Sequence, residues 1–351
     1  MKFDLFYQLP CTSPERGSHL YRELIDEVVE AERLGFHGVW LAEAHFLPRF
    51  SLMPSPMLLL AAIAERTSQI RLGLAVNLVP LHHPVRLAEE SAMLDLLSGG
   101  RLEFGAGRGA FASNYHGYEI PMESSRERLK EALDFIRRAW LEPRLSFRGK
   151  FFKADELEVV PKPLQRPHPP IRLAANTPDT FIFAGTNGFP IFAGGPVNPI
   201  PILGDRLEIY KKAVADARRN LPNDWLAALL MVFAGRDRAS VRAIMERSLR
   251  SYFEVISQSV TPETLGAEQA ADFAKVQERV RTTPYETVDE SMAAFGDGAY
   301  CADKIARLRE TFGMSRLVCW FEIGGLAGHR AVIDSMRSFA EGVMPRFSGG
   351  A

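Results

Sequence analysis

Three short stretches of the 351-residue sequence concentrate side chains able to do chemistry. In Glu43-Ala44-His45-Phe46 a carboxylate and an imidazole stand two residues apart. On an extended segment they share a face, and histidine is the usual proton acceptor near neutral pH. In Gly105-Ala106-Gly107-Arg108-Gly109 the glycines let backbone and ligand approach closely. The arginine offers a planar fork suited to phosphate. The motif lacks the Lys-Ser/Thr of a P-loop and the full GxGxxG spacing. Asn176-Thr177-Pro178-Asp179-Thr180 reads as a helix start, with Thr177 at the cap and Pro178 at the first helical position. The N–H groups and dipole of such a start also suit a phosphate, although plain capping needs no ligand. Asp179 suits the dipole but repels a phosphate if it faces inward. His82 and His83 are adjacent, so on an extended chain they point apart, which speaks against a metal pair. No metal ligand set emerges elsewhere. Tyr115, His116 and Tyr118, after Arg108, fit either a pocket lining or the surface.

The elements that must position these residues alternate in kind. Helical stripes recur at i, i+3/4, i+7: Leu20, Leu24, Val28, Ala31; Leu129, Leu133, Ile136, Trp140; Leu203, Leu207, Tyr210, Val214; and Val332, Met336, Phe339, Val343. Between them lie eight short apolar runs, at 3–8, 39–42, 70–79, 102–105, 171–175, 189–193, 226–234 and 317–321. Continuous apolar runs suit parallel strands buried on both faces. Eight of them alternating with helices predict an α/β fold, a (β/α)₈ TIM barrel, with a doubly wound open sheet as the alternative. In a barrel the site lies at the C-terminal ends of the strands. There the sequence places Glu43, Asn77, Gly105–Gly109, Asn176–Thr180, Gly194-Gly195 and Glu322. The Pro-rich segment 142–170 reads as a long loop with a hairpin. Segment 258–299 interrupts the pattern between the seventh and eighth units, and a structureless stretch of that length predicts a functional lid or a disordered insert. The whole chain, 1–351, reads as one domain.

Composition narrows the function classes. Hydrophobic residues make up 46% and charged residues 24%, a globular balance that excludes extended disorder. Lys plus Arg number 42 against 43 Asp plus Glu, so neither nucleic acid nor an anionic membrane is expected as a partner. Cys11, Cys301 and Cys319, without a CxxC, argue against a disulfide scaffold or a cysteine zinc site. No uninterrupted apolar window is long enough for a membrane span. The N-terminal MKFDLFYQLP does not suit a signal peptide. A cytoplasmic protein is the expectation.

Taken together, these stretches resemble the bacterial-luciferase-like flavin monooxygenases along nearly the whole chain. The resemblance is carried by GFHGVWLAEAHF and by the long block NLVPLHHPVRLAEESAMLDLLSGGRLEFGAGRG. IRLAANTPDT and GFPIFAGG extend it, as does the C-terminal part from SRLVCWFEIGG to SMRSFAEGVMPRF. It implies a (β/α)₈ barrel with an insertion after the seventh strand. It also implies a two-component monooxygenase, in which an NAD(P)H-dependent flavin reductase supplies reduced FMN. The flavin reacts with O₂ at C4a, and the peroxyflavin oxygenates a small organic substrate. By the same resemblance Gly107 and Arg108, with Asn176, Thr177 and Thr180, belong to the flavin-phosphate site. Ala75, Val76 and Asn77 fall on the segment backing the isoalloxazine ring, and Glu43 and Gly194 fall near the flavin. Luciferase itself has two histidines after its glutamate, a glutamate after the fifth strand and a reactive cysteine before the arginine. This chain has Ala44, Asn176 and Gly107 at those places. The departures argue against light emission from a long-chain aldehyde and leave His45, with Glu43, as the candidate for proton handling.

The demands of such chemistry are few, because the flavin carries it. Phosphate must be held and water kept out. Phe46, Phe111, Phe192 and Trp320 are candidates to line an apolar mouth, which suits a small apolar substrate. Deazaflavin-dependent hydride transfer and non-catalytic flavin binding are the alternatives. A homodimer is expected, with Leu58, Ala61, Ala62, Ala92, Met93 and Leu97 of two helices as its candidate interface.

Overall fold

The computed structural model describes residues 1–259, 261 and 273–348. Parallel strands β1 (Lys2–Tyr7), β2 (Gly38–Leu41) and β3 (Arg71–Leu74) lead into a two-residue β4 (Asn77–Leu78) and then β5 (Leu102–Gly107). An antiparallel hairpin, β6 (Leu145–Arg148) and β7 (Lys153–Leu157), stands outside the main sheet. That hairpin is the one expected in the Pro-rich segment. β8 (Ile171–Ala174), β9 (Ile191–Gly194), β10 (Leu226–Ala234), β11 (Ala293–Gly296) and β12 (Arg316–Trp320) complete the set. Eight of these close a ring in the order β1-β2-β3-β5-β8-β9-β10-β12 and back to β1, all pairs parallel. This is the (β/α)₈ barrel that the alternating pattern predicts. β11 is an addition, pairing with the far end of β10 from Met231↔Ala293 to Ala234↔Gly296.

Strand alternation divides the core in two. On β1, Phe3, Leu5 and Tyr7 join the shell between barrel and helices, where Leu24, Val28 and Ala31 of helix Gly17–Arg33 also lie. Phe6 faces the barrel interior with Trp40, Phe192, Met231 and Trp320. Phe192 packs edge-on against Trp40 at 4.6 Å and Trp320 against Phe6 at 5.3 Å. These two rings therefore fill the barrel and are buried. The expectation that they line an open mouth is corrected: interior strand positions belong to the closed layers of side chains that make a barrel a solid core.

Beneath those rings, at the N-terminal ends of the strands, the interior is ionic. The Arg316 guanidinium donates to Asp4 Oδ2 at 3.2 Å and to Glu103 at 2.8 and 3.2 Å, and lies 2.6 Å from Asp224 Oδ2. Trp40 Nε1 donates to Asp4 Oδ2 at 2.7 Å, Arg71 Nε to Glu103 at 3.2 Å, and Arg172 pairs with Asp224 at 3.1 Å. Three carboxylates thus face three guanidinium groups. Burial by itself raises the Asp4 and Glu103 carboxyls. At Asp4 the His37 and Trp40 hydrogen bonds and Arg316 outweigh it, and at Glu103 Arg316 and Arg172 do, so both sit below the usual carboxylate range.

Two sequence expectations need correction here. The run 70–79 is two strands: β3 stops at Leu74, the Ala75–Val76 peptide is cis, and β4 begins at Asn77. The segment 258–299 is largely ordered secondary structure where it is described. It holds the end of helix Arg238–Ser259, helices Phe273–Arg281 and Tyr285–Met292, and β11. Tyr285, Val288 and Met292 are buried at i, i+3, i+7 and pack into the interior cluster. The intervening Glu286, Asp289 and Glu290 mask that stripe in the sequence. Residues 260 and 262–272, which the expected lid includes, lie outside the described residues. No helix among the described residues is long and apolar enough to cross a membrane.

Candidate active site

The C-terminal ends of β2, β3 and β5 bring the first group of expected residues together. Ala75 N–H donates to the Leu41 carbonyl at 2.8 Å, which places the 75–76 segment beside the exit of β2. Ala75 and Val76 pack on the interior aromatic cluster. Gly107, ending β5, lies against Val76, and a Cβ there would stand 2.5 Å from Val76 Cγ2. That close approach is what a side chain at 107 would forbid. Asn77 is 2% exposed, and its Nδ2 has no partner among the described residues. A buried donor left unsatisfied is costly.

Glu43 is the hub. Its Oε2 accepts from the Leu78 N–H at 2.7 Å, which pins the carboxylate against β4. Its Oε1 is shared by two imidazoles, His45 Nε2 at 2.8 Å and His82 Nε2 at 2.6 Å. Burial pushes the Glu43 carboxyl up, but the two imidazole bonds outweigh it and hold it below its ordinary value. The same bond and charge overcome burial at His82 and raise its affinity for a proton. The far nitrogen of His45, Nδ1, is 3.2 Å from the Tyr118 hydroxyl, and the two rings meet edge to face at 4.9 Å. The three potential ligand atoms of Glu43, His45 and His82 lie within 4.8 Å of one another. Around a tetrahedral ion with bonds of about 2.1 Å, neighbouring ligand atoms stand about 3.4 Å apart. The observed 2.6 and 2.8 Å are hydrogen-bond lengths, so the cluster as built shares protons. His82 and His83 do point apart, as expected. His83 caps helix Pro84–Leu97 by accepting from the Val85 N–H, while His82 turns to Glu43. Sequence reading missed His82 because its partner is 39 residues away.

The second group surrounds a cavity of about 480 Å³ on the outer side of the β5 exit. Arg108, Arg126, Lys130 and Thr180 line it. Arg108 Nη1 donates to Ser125 Oγ at 3.2 Å, and its backbone carbonyl accepts from the Tyr115 hydroxyl. Burial, followed by the nearby Arg126 charge, lowers its proton affinity. A half-buried cation repelled by another cation is a site that an anion stabilises. Thr177 caps helix Pro178–Asn187 by position, but its Oγ1 is 3.1 Å from Thr180 Oγ1 and caps no backbone N–H. The first-turn N–H groups are therefore not taken up by that side chain. Asp179 lines the same cavity, where it pairs with Arg126, so a phosphate there would meet one carboxylate as well as three cations.

Other expected residues fall outside both groups. Asn176 is exposed and is not among the residues lining the cavity. Gly194 has φ +108° and ends β9; a Cβ there would lie 2.6 Å from the Leu229 carbonyl oxygen. It lines a separate void of about 20 Å³ beside β10. Glu322 is half-buried on the helix side with Tyr7, Glu27 and His329. There burial, and then Glu27, push its carboxyl up to about 8. At the mouth, Phe46 is 60% exposed, and Phe111 packs on Phe50 at 4.7 Å.

A (β/α)₈ barrel with a cation-lined cavity at the β5 exit and a proton-sharing cluster beside it defines the class. The match to known proteins makes it specific. Residues 1–315 match the model of the luciferase-like monooxygenases, and the chain belongs to that family. It is 36% identical over 191 residues to the oxygenase component of a flavin-dependent trigonelline monooxygenase of Acinetobacter baylyi, covering 54% of this chain and 52% of that protein. It is 28% identical to the 4-hydroxyprotoasukamycin monooxygenase of Streptomyces nodosus subsp. asukaensis, over 95% of this chain and 88% of that one. Among solved structures, the monooxygenase RslO1 of Streptomyces bottropensis superimposes with a TM-score of 0.84 at 27% identity, covering 99% and 100% of the two chains. The chain's matches to two curated relatives at 37% and 36% identity span 65% and 52% of their lengths.

Proposed function

We propose that the protein is the oxygenase component of a two-component monooxygenase. It would take reduced FMN from an NAD(P)H-dependent flavin reductase and use O₂ to oxygenate a small apolar organic substrate. The observation that carries this reading is the pairing of the Arg108 cavity with the Glu43 cluster on either side of Gly107. The residues present fit a flavin mononucleotide. Arg108, Thr180 and the N-terminus of helix Pro178–Asn187 would hold the phosphate, with Lys130 adding charge. Ala75, Val76 and the unpartnered Asn77 Nδ2 would meet the ring system. When bound, reduced FMN supplies the electrons that activate O₂ for transfer of one oxygen atom. The chain's own part is to bind, to shield and to manage protons. Phe46 and Phe111 at the mouth support an apolar substrate, and His45 is the proposed proton-handling imidazole.

The test is a stopped-flow mixing of anaerobic protein and stoichiometric reduced FMN with oxygenated buffer, followed by flavin absorbance. Reoxidation that is slower than for free reduced FMN, and saturable in protein, is the expected result. Reoxidation at the free rate sinks the reading and moves deazaflavin hydride transfer, or flavin storage, ahead of it.

We propose a homodimer as well, through the face carrying Leu58, Met93, Leu96 and Leu97, which are 75%, 54%, 43% and 51% exposed. An apolar face of that extent is a usual mark of an interface. Ala92, expected there, is fully buried and belongs to the core. Sedimentation at micromolar concentration should give the dimer mass; a monomer would remove the proposal.

A further inference from the structure

We propose that Tyr118 is the proton-transferring group of this site, and that Glu43 and His45 are the positioning residues that set the direction of transfer. This rests on the reading that a reduced flavin reacts at this end of the barrel.

The argument starts from the shared oxygen. Glu43 Oε1 faces two imidazole nitrogens at hydrogen-bond distance, and an ionised carboxylate can only accept. His45 Nε2 must therefore carry a hydrogen. With that position fixed, everything variable about the His45 ring is at Nδ1, and Nδ1 faces the Tyr118 hydroxyl. Neither ring nitrogen is left to meet a ligand directly. The His45 side chain is 4% exposed, whereas Tyr118 is 41% exposed and stands beside Phe46 at the mouth. Proton traffic between this imidazole and a bound molecule has to pass through the phenol.

The direction follows from the state of His45. When His45 is neutral, Nδ1 has a lone pair and Tyr118 O–H donates to it. A ligand X–H can then give its proton to Tyr118 Oη while Tyr118 gives its own to His45 Nδ1. The products are X⁻, an unchanged phenol, and an imidazolium held against the Glu43 carboxylate. When His45 is the cation, Nδ1–H donates to Tyr118 Oη, and the phenol O–H is turned outward as an acid. The reverse transfer restores the neutral ring. Burial, followed by the Glu43 charge, raises the Tyr118 phenol above its ordinary range. The phenol therefore passes protons on and does not persist as an anion. The carboxylate–imidazole–hydroxyl order is the logic of a nucleophile triad, applied here to a phenol. His82 completes the chain outward. Its side chain is 27% exposed, against 1% for Glu43, and it occupies the second approach to the same oxygen.

The experiment compares wild type with Tyr118→Phe, a change at an exposed position that removes one oxygen. In protein with ¹⁵N-labelled histidine and no flavin, the wild-type His45 Nδ1 signal should show a hydrogen-bonded lone pair, and Nε2 should be protonated. In the variant the Nδ1 signal should move to the position of a free lone pair while Nε2 stays put. With reduced FMN bound, reoxidation in H₂O and D₂O should show a solvent isotope effect of about twofold or more in wild type that collapses towards one in Tyr118→Phe. The Kd for reduced FMN should be unchanged. An unmoved Nδ1 signal, or an isotope effect equal in the two proteins, overturns the proposal. If wild type fails to bind reduced FMN, the flavin reading falls, and the flavin-free resonance comparison still decides whether Tyr118 and His45 are coupled.

Discussion

Arg316→Leu should lower stability by about 3–5 kcal/mol at neutral pH, the range for removing one partner of a buried ion pair. Arg316 is 1% exposed and is engaged by Asp4, Glu103 and Asp224. Leucine leaves Glu103 with Arg71, Asp224 with Arg172, and Asp4 with His37 and Trp40, and Asp4 and Glu103 stay buried. The pH dependence carries a definite sign. Asp4 and Glu103 have folded-state affinities for protons below their unfolded values. Their contribution is therefore present above about pH 4, the unfolded carboxylate range, and is lost as pH falls through the folded values. In the variant the Arg316 support is gone while Arg71, Arg172 and His37 remain, so protonation relieves the part of the buried charge that Arg316 balanced. The difference between the two proteins should shrink as pH falls below about 4. Urea unfolding at pH 7 and at the lowest pH where both proteins remain folded reads this directly. A difference under about 1 kcal/mol at pH 7, or one that grows in acid, would mean that the floor of the barrel is wetter and less coupled than its geometry states.

That floor was not legible in the sequence, and the reason is physical. Asp4 and Glu103 sit inside apolar runs and Arg316 stands just before one, where they read as isolated exceptions. Only the closure of the ring brings β1, β5 and β12 residues to a common layer, and pairing across 213 and 312 positions leaves no local signature. His82 was hidden in the same way. Its local geometry was readable, since adjacent histidines diverge, but the return to Glu43 is tertiary. By contrast, Arg108 and the 176–180 helix start were legible because their chemistry is written in consecutive residues. A glycine-flanked arginine and a Thr-Pro helix start carry their meaning within five positions. The eight barrel strands were legible because burial on both faces leaves continuous apolar runs. The helix Tyr285–Met292 was recoverable in principle, as the i, i+3, i+7 stripe of Tyr285, Val288 and Met292 shows. Asp289 confounded it, a buried carboxylate that accepts from the Phe295 N–H and the Tyr300 hydroxyl. Gly194 shows a second kind of constraint. Its place at a strand end suggested a ligand, while its actual constraint is the Leu229 carbonyl of the neighbouring strand.

Arg108→Ala should weaken reduced-FMN binding by about 10- to 100-fold, since hydrogen bonds to a charged group contribute about 1.5–3 kcal/mol and about 1.4 kcal/mol is tenfold in Kd. Among the described residues the side chain has one hydrogen-bonded partner, Ser125 Oγ, and the Tyr115 bond goes to the backbone carbonyl, which alanine keeps. The fold should therefore survive the change. The decisive control is reduced riboflavin, which has the same ring system and no phosphate. Its affinity should be lower than that of reduced FMN in the wild type and nearly the same in both proteins. Arg126→Ala should cost less, because Arg126 is exposed and already paired with Asp179. Arg108→Lys should recover part of the loss, since a point charge replaces a fork. Anaerobic titration of flavin absorbance measures each of these affinities. If Arg108→Ala weakens FMN and riboflavin equally, the arginine supports the ring or the fold and not the phosphate. The cavity at the β5 exit would then lose its assigned ligand, while the Glu43 cluster would keep its proton chemistry.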